Sequence, residues 1–459
     1  MKYLGIEFDV KNHPLLDSGY IPFEPWIKAY LAQAHSPIAI AVERTGGKRS
    51  VYHSFIRDDS FTEANYRYVE RLVKFLLWSI GGYKVYICGC DALTERLKNE
   101  YCDGGKRSFD AGFTVDVFER ELVIVACSAD EMPGENEGGD AIGGHMDGCR
   151  IGFDAGGSDR KVSAVIDGET VYSEEVVWFP KTNEDPQYHF EGILDSFKRA
   201  ASKMPRVDAI GVSSAGVYVD NCPMVASLFI KVPKEKREDV KSIYKRAAAE
   251  IGNVPLTVAN DGDVTALAGA MSLGTGGVLG IAMGTSEAVG YISPDGKVMG
   301  WLNELAFAPV DLSEDALEDE WSHDVGVGCK YFSQDAVIKL APAAGIELDA
   351  SLSLAEKLKA VQKLVEDGHE GAANIFTSIG TYLGHTLALY SRFYEIKYVL
   401  VLGRVASGKG GELIIDECRR VIADEYPEMD GTFTVMLPDE KTRRVGQSVA
   451  AASLPEISK

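Results

Sequence analysis

Four short stretches of this sequence hold residues whose types suit a phosphate group and a hydroxyl group. The first is Asp154-Ala155-Gly156-Gly157-Ser158. Glycines let a backbone approach a phosphate and offer it N–H donors. A carboxylate beside them can hold Mg²⁺, usually through water. A tight hairpin turn would use the same residues with no chemistry at all. The second stretch is Gly284-Thr285-Ser286, which can cup a terminal phosphate. The third is Asn260-Asp261, at the end of an apolar run and the start of DVTALAGAM. An Asp there is commonly a helix N-cap, worth about 1 kcal/mol. It is equally suited to be a general base, because a helix N-terminus keeps a carboxylate ionised and a strand end can offer it to a hydroxyl. The fourth is LVLGRVASGKGGELI at 400–414, with Gly403, Arg404 and Ser407. A strand, a glycine-rich loop and a helix suit the base and ribose of a nucleotide, and equally a plain connection.

The surrounding pattern supplies elements to carry these residues. IGFDAGG and RKVSAVIDG read as a hairpin and VYSEEVVWF as a third strand. FEGILDSFKRAASK places Phe190, Ile193, Leu194, Phe197 and Ala201 on one helical face. RVDAIGVSSAG and PLTVAND are strands, and the helix DVTALAGAMSL follows the second. GVLGIAMGT and EAVGYISPDGKV repeat the strand–glycine turn–strand pattern of 151–168. Helices follow at about 333–341, 353–366 and 370–393, then the strand YVLVLG, a helix, the strand TFTVML and a closing helix, KTRRVGQSVAAASL. The result is two α/β halves in tandem, each led by a hairpin, with mixed sheets flanked by helices. Residues 128–150 are rich in Gly, Asp and Glu and read as a linker. Residues 1–127 form a separate N-terminal α/β domain with a hairpin over 37–56, a helix over 62–81 and a strand over 83–89, an order that suits equally a degenerate copy of the same plan and an unrelated α/β cap.

Composition bounds the function. The chain has 459 residues, 46% hydrophobic and 25% charged. Its net charge of −22 repels the phosphate backbone that dominates nucleic-acid affinity, so no nucleic-acid partner is expected. No apolar stretch approaches the length of a membrane span, so no membrane partner is expected. The opening residues lack signal-peptide character, which predicts a cytoplasmic protein. The eight cysteines are scattered without a CxxC pair and read as reduced thiols.

Taken in order, the four stretches resemble the actin-like sugar kinase superfamily. More narrowly, residues 151–454 resemble the ROK family (repressors, open reading frames, kinases) of glucokinase- and hexokinase-like sugar kinases. The pieces that carry this are DAGGSDRKVSAVIDG, AIGVSSAGVYVDN, VANDGDVTALAGA, GIAMGTSEAVGYI, NELAF and LVLGRVASGKGGELI. The resemblance implies two tandem actin-like (ribonuclease H-like) lobes, 151–260 and 261–459, with the C-terminal helix returning to the first. It implies ATP and Mg²⁺ on Asp154, Gly156, Gly157 and Ser158, with Lys161 nearby. Asp154 holds Mg²⁺ through water. Asp261 is then the general base, Asn260 and Glu304 bind the sugar, Gly284, Thr285 and Ser286 take phosphate, and Gly403, Arg404 and Ser407 take adenosine. The implied reaction is phosphorylation of a hexose or an N-acyl amino sugar, by a protein expected to form homodimers.

The sequence departs from that pattern in three places. Phe307 stands where the family has a histidine, and Cys329 is the single cysteine where a zinc-binding cluster is usual, so no zinc site is expected. Cys329 also takes the position of a second sugar-binding Glu, for which His323 is a weak substitute. Glu287 follows the second phosphate turn, where a carboxylate would repel phosphate. These departures keep open a second reading, a catalytically decayed sugar or nucleotide sensor on a kinase scaffold.

Overall fold

The computed structural model describes residues 1–58, 62–137, 142–439 and 446–457. Residues 138–141 of the expected linker and 441–445 of the expected closing helix lie outside the described residues. The chain begins with helix α1 (Phe23–Leu31), strands β1 (Ser36–Glu43) and β2 (Arg49–Ile56), helix α2 (Glu63–Ser79), β3 (Lys84–Cys88), α3 (Asp91–Glu100), α4 (Ser108–Phe118) and β4 (Val123–Ala126). In β1 the alternate residues Ile38, Ile40 and Val42 are buried, and Ala41 on the other face is buried too, so both faces of its second half are covered. Helix α2 starts at Thr62, whose side chain accepts the Asn65 N–H, and is buried along almost its whole length. A helix buried all round needs neighbours on every side.

Next come β5 (Cys149–Ala155), β6 (Asp159–Ile166), β7 (Glu169–Val177), α5 (Pro186–Ala201), β8 (Ala209–Ser214), β9 (Leu256–Asn260) and α6 (Asp261–Leu273). They build a sheet of order β9-β8-β5-β6-β7. β5 and β6 are the expected antiparallel hairpin, while β8 runs parallel to β5 and β9 parallel to β8. Phe153, Ile193, Phe197, Val212 and Tyr244 lie in the core on this sheet. The chain continues through β10 (Val278–Met283), β11 (Glu287–Ile292), α7 (Gln334–Leu340), α8 (Leu354–Glu366), α9 (Glu370–Tyr390), β12 (Tyr398–Leu402), α10 (Gly408–Glu425), β13 (Thr434–Met436) and α11 (Gln447–Ala452). No helix among the described residues is long and apolar enough to cross a membrane.

The chain gathers into two compact units. One comprises Met1–Gly138, Ile281–Val289 and Trp301–Leu437, the other Gly139–Gly280, Gly290–Gly300 and Pro438–Lys459. Residues 1–127 therefore share a unit with 301–437. Packing explains this: Phe75 of α2 stacks on Phe393 at 4.2 Å, and Trp78 meets Phe307 at 4.5 Å. The N-terminal sheet has the order β2-β1-β3-β4. Its strand β3 returns antiparallel to β1, whereas β8 returns parallel to β5. Two strands precede the helix in the first case and three in the second, so the chain enters the crossover in the opposite sense. The pairing of a repeated actin-like half is thus not the pairing of the N-terminal sheet.

In the same unit, β10 and β11, through their residues 281–289, join β12 and β13 in a sheet of order β11-β10-β12-β13. In the other unit α11 packs on β5 and β8. The described parts of 128–150 are tied down. Asn136 exchanges two backbone hydrogen bonds with Arg49, both 2.9 Å, while Gly143 and His145 donate to the carbonyls of Leu454 and Ser453. A polar, glycine-rich composition does not reveal such backbone pairing.

Candidate functional site

Asp154 ends β5. It pairs in register with Ser213 on β8 and Lys161 on β6. Burial pushes its carboxyl up to about 6; the Ser213 hydroxyl opposes this and the charge of Asp261 adds to it. Asp261 is the first residue of α6, and burial raises its carboxyl too, against the Gly262 N–H. The helix end was expected to favour the ionised form of Asp261; the backbone N–H groups and Lys181 do act in that direction, and burial acts against them as the larger effect. Asp261 is also not the cap. Asn260 is: its Oδ1 accepts the Gly262 N–H at 2.7 Å and its Nδ2 donates to the Gly216 carbonyl at 2.8 Å. Asn260 thus holds the turn, with one N–H and one lone pair left for a ligand.

The Gly156–Ser158 turn is close-packed. A Cβ on Gly156 would stand 2.6 Å from the Asp159 carbonyl, and one on Gly157 would stand 2.7 Å from Lys181 Cε and 3.0 Å from its Nζ. Trp178 Nε1 donates to the Gly156 carbonyl at 2.7 Å and fixes the turn from below. Ser158 Oγ donates to Asp159 Oδ2 at 2.9 Å. Lys161 is half-buried, with Glu175 at 3.7 Å. Lys181 is the cation that sequence reasoning missed. It lies in the short turn Pro180–Thr182, brought over Gly157 by a fold that no local pattern announces, and its charge lowers the Asp261 carboxyl. Two partly buried carboxyls, one lysine and a turn with two glycines fit a phosphate with its cation. Asp154 is the residue that would hold Mg²⁺.

The other unit brings together the second and fourth stretches. Gly284 N–H donates to the Ser286 carbonyl at 3.0 Å, and the Gly284 carbonyl accepts the Gln334 N–H at 2.9 Å. Gly403 has φ +92°, and the Met283 backbone passes where its Cβ would be. Arg404 then donates from Nη2 to Thr285 Oγ1 at 3.2 Å, although the two are 119 residues apart. Ser407 Oγ donates to the Arg404 carbonyl at 2.7 Å.

Glu304 is half-buried, at the start of the turn Leu305–Phe307. Phe307 packs on Trp78 and Phe109, centroids 4.5 and 5.3 Å away. Cys329 is buried with Ala306 and Val327, and its thiol donates to Asp319. His323 lies on the surface, 75% exposed, beside Glu318. Glu287 was expected to face the phosphate as a charge. Instead it is 4% exposed, and its carboxyl fills the space left by the missing Cβ of Gly328. Burial, reinforced by Glu304, pushes that carboxyl up to about 8. At neutral pH it keeps its proton and puts no charge on the turn.

No family model matches the chain, and no curated protein matches it. Among solved structures, a ROK hexokinase from Thermus thermophilus is similar over 66% of this chain and 97% of its own, with 18% identity and a TM-score of 0.50. A ROK family glucokinase from Streptomyces griseus, in complex with glucose and AMPPNP, is similar over 66% and 98%, with 19% identity and a TM-score of 0.45. A ROK family transcriptional regulator, a homologue of the Escherichia coli MLC protein, is similar over 67% and 79%, with 15% identity and a TM-score of 0.48. The likeness to the hexokinase shows the fold. The chain has the mixed α/β, actin-like fold of ROK sugar kinases, as the order of its motifs implied.

Proposed function

We propose that this protein is an ATP-dependent phosphotransferase acting on a sugar hydroxyl, of a hexose or an N-acyl amino sugar. The observation that carries the reading is the pair Asp154 and Asp261, two partly buried carboxyls, each raised by desolvation and the first also by the charge of the second, beside a glycine cradle and a lysine. A base with an elevated pKa takes a proton from a hydroxyl more readily than an ordinary carboxylate does. Asp261 would accept the proton of the sugar hydroxyl as that oxygen attacks the terminal phosphate of ATP. Asn260 and Glu304 would orient the sugar ring. The N–H groups of the Gly156–Ser158 and Gly284–Ser286 turns would hold phosphate oxygens, with Lys181 supplying positive charge. Gly403, Arg404 and Ser407 would hold adenosine. Mg²⁺, held by Asp154, would neutralise charge on the transferring phosphate. Positioning and electrostatics supply the catalysis.

The sensor reading keeps one specific support, the apolar packing of Phe307 and Cys329 where the resemblance implies ligands. A coupled ADP-release assay over a sugar panel, with Asp261→Asn as control, separates the two. Sugar-dependent release that the variant loses supports the kinase. Sugar binding without release from any sugar supports the sensor.

A further inference from the structure

Glu304 belongs to a segment with almost no regular structure: from 302 to 325 its one helical turn is Leu305–Phe307. Side chains in such a segment keep their place only if something else holds the backbone. Here the N-terminal residues hold it at three points. The first is the C-terminal end of α2, where helix carbonyls lack intrahelical partners. Leu302, Asn303 and Glu304 donate their N–H groups to the carbonyls of Ile80, Ser79 and Trp78, at 3.1, 2.8 and 2.9 Å. The second is Asp311, which accepts the Ile21 N–H at 2.9 Å.

The third is Asp324. Its carboxylate receives Arg71 Nη1 at 2.9 Å, Lys74 Nζ at 3.0 Å and Arg107 Nη1 at 2.7 Å. Glu70 pairs with both arginines and Asp110 with Lys74, so three cations face three anions. None of these side chains is more than 5% exposed. A buried network of this kind is weak evidence for stability, because desolvation offsets the Coulomb gain. What it does supply is direction: three donors on one carboxylate define where residue 324 must be.

We propose that helix α2 and this network are the positioning machinery for Glu304, with Lys74 and Asp324 as positioning residues for sugar binding. The inference rests on the reading of Glu304 as a sugar ligand. It gives residues 1–127 a role in the site without any of them touching substrate.

Full-length Asp324→Asn tests it, assayed with MgATP and the sugar that the panel selects. The expected result is a sugar KM raised about tenfold or more, the scale of a misplaced binding group, with the KM for MgATP within about twofold. Amide exchange at 302–304 should speed up, while exchange in β5 and β8 stays as in the wild type. A folded Asp324→Asn protein whose sugar KM is unchanged overturns the proposal, as does an equal loss for sugar and MgATP. Gly81→Ala serves if that protein does not fold. Gly81 has φ +81°, and its added Cβ would stand 3.0 Å from Leu302 Cβ, leaving the ion network intact. It should raise the sugar KM selectively and by less, and no change there would also refute the positioning role. A wild-type protein that responds to no sugar would instead remove the kinase reading and this inference with it.

Discussion

Gly152 on β5 pairs in register with Gly211 on β8, and the two leave a bare strip across the sheet. Helix α11 lies in it. The carbonyl of Ser448 occupies the place of a Gly152 Cβ, and that of Ala451 the place of a Gly211 Cβ. The close approach sets Gln447, whose amide donates to Ser213 Oγ at 2.9 Å and to the Asp261 carbonyl at 3.1 Å. Two glycines on the sheet thus govern the surroundings of both candidate carboxyls.

Gly152→Ala is therefore expected to be severe. A backbone carbonyl held in a helix cannot swing aside as a side-chain tip can. The loss should be about 3 kcal/mol or more, the upper part of the range for overpacking. Denaturant unfolding of variant and wild type measures it. A loss below about 1 kcal/mol would show that α11 shifts freely, and would remove Gln447 as a fixed neighbour of Asp261.

Asp261→Asn keeps the size and the capped helix start and removes the base. Turnover should fall by about 10²–10⁴, the usual weight of a general base. Binding of sugar and MgATP should hold within about threefold, since the backbone N–H of Gly262 can still bond the amide oxygen. Turnover comes from the coupled assay and binding from calorimetry. Unaltered turnover would take Asp261 out of the reaction.

The candidate site was legible where its chemistry is local. Asp154 with Gly156 and Gly157, and Asn260 with Asp261, stand side by side in the chain, and strand and helix periodicity located their elements. Between Asn260 and Asp261 the pattern could not say which residue caps the helix, because both types cap well. Lys181, Gly328 beneath Glu287 and the Asp324 network were hidden, since each depends on partners far away in sequence. Asp324 is the sharpest case. Nothing in WSHDVGVG marks it as buried, and only the packing of Arg71, Lys74 and Arg107 against it shows this.

Asp154 should make nucleotide binding pH-dependent. Its folded pKa of about 6 lies above the ordinary 3.8. Its contribution to stability is thus fully present below pH 3.8 and is lost as pH rises through 6. Binding runs the other way, because a cation needs the ionised form. Affinity for MgATP should climb between pH 5 and 6.5 and level off above, and Asp154→Asn should be weak and flat. Calorimetry from pH 5 to 8 shows which holds. A wild-type affinity independent of pH would exclude Asp154 from the cation site.

Glu287 should leave its own mark on stability. Burial raises its carboxyl and the nearby Tyr390 hydroxyl only partly opposes this, so the folded pKa of about 8 lies far above the ordinary 4.5. The folded state then holds a proton that the unfolded chain has lost, so stability falls as pH rises from 4.5 through 8. Glu287→Gln fills the same space beside Gly328 and carries no charge at any pH. Its unfolding free energy should lack that part of the decline and exceed the wild-type value above pH 8. Phosphate binding at Gly284–Ser286 should be unaltered at pH 7, because the native side chain is already neutral there. Chemical unfolding at pH 6 and pH 9 decides the matter. Parallel losses in the two proteins would mean that Glu287 is ionised in the fold, and the repulsion expected beside the phosphate turn would then have to be met by a cation.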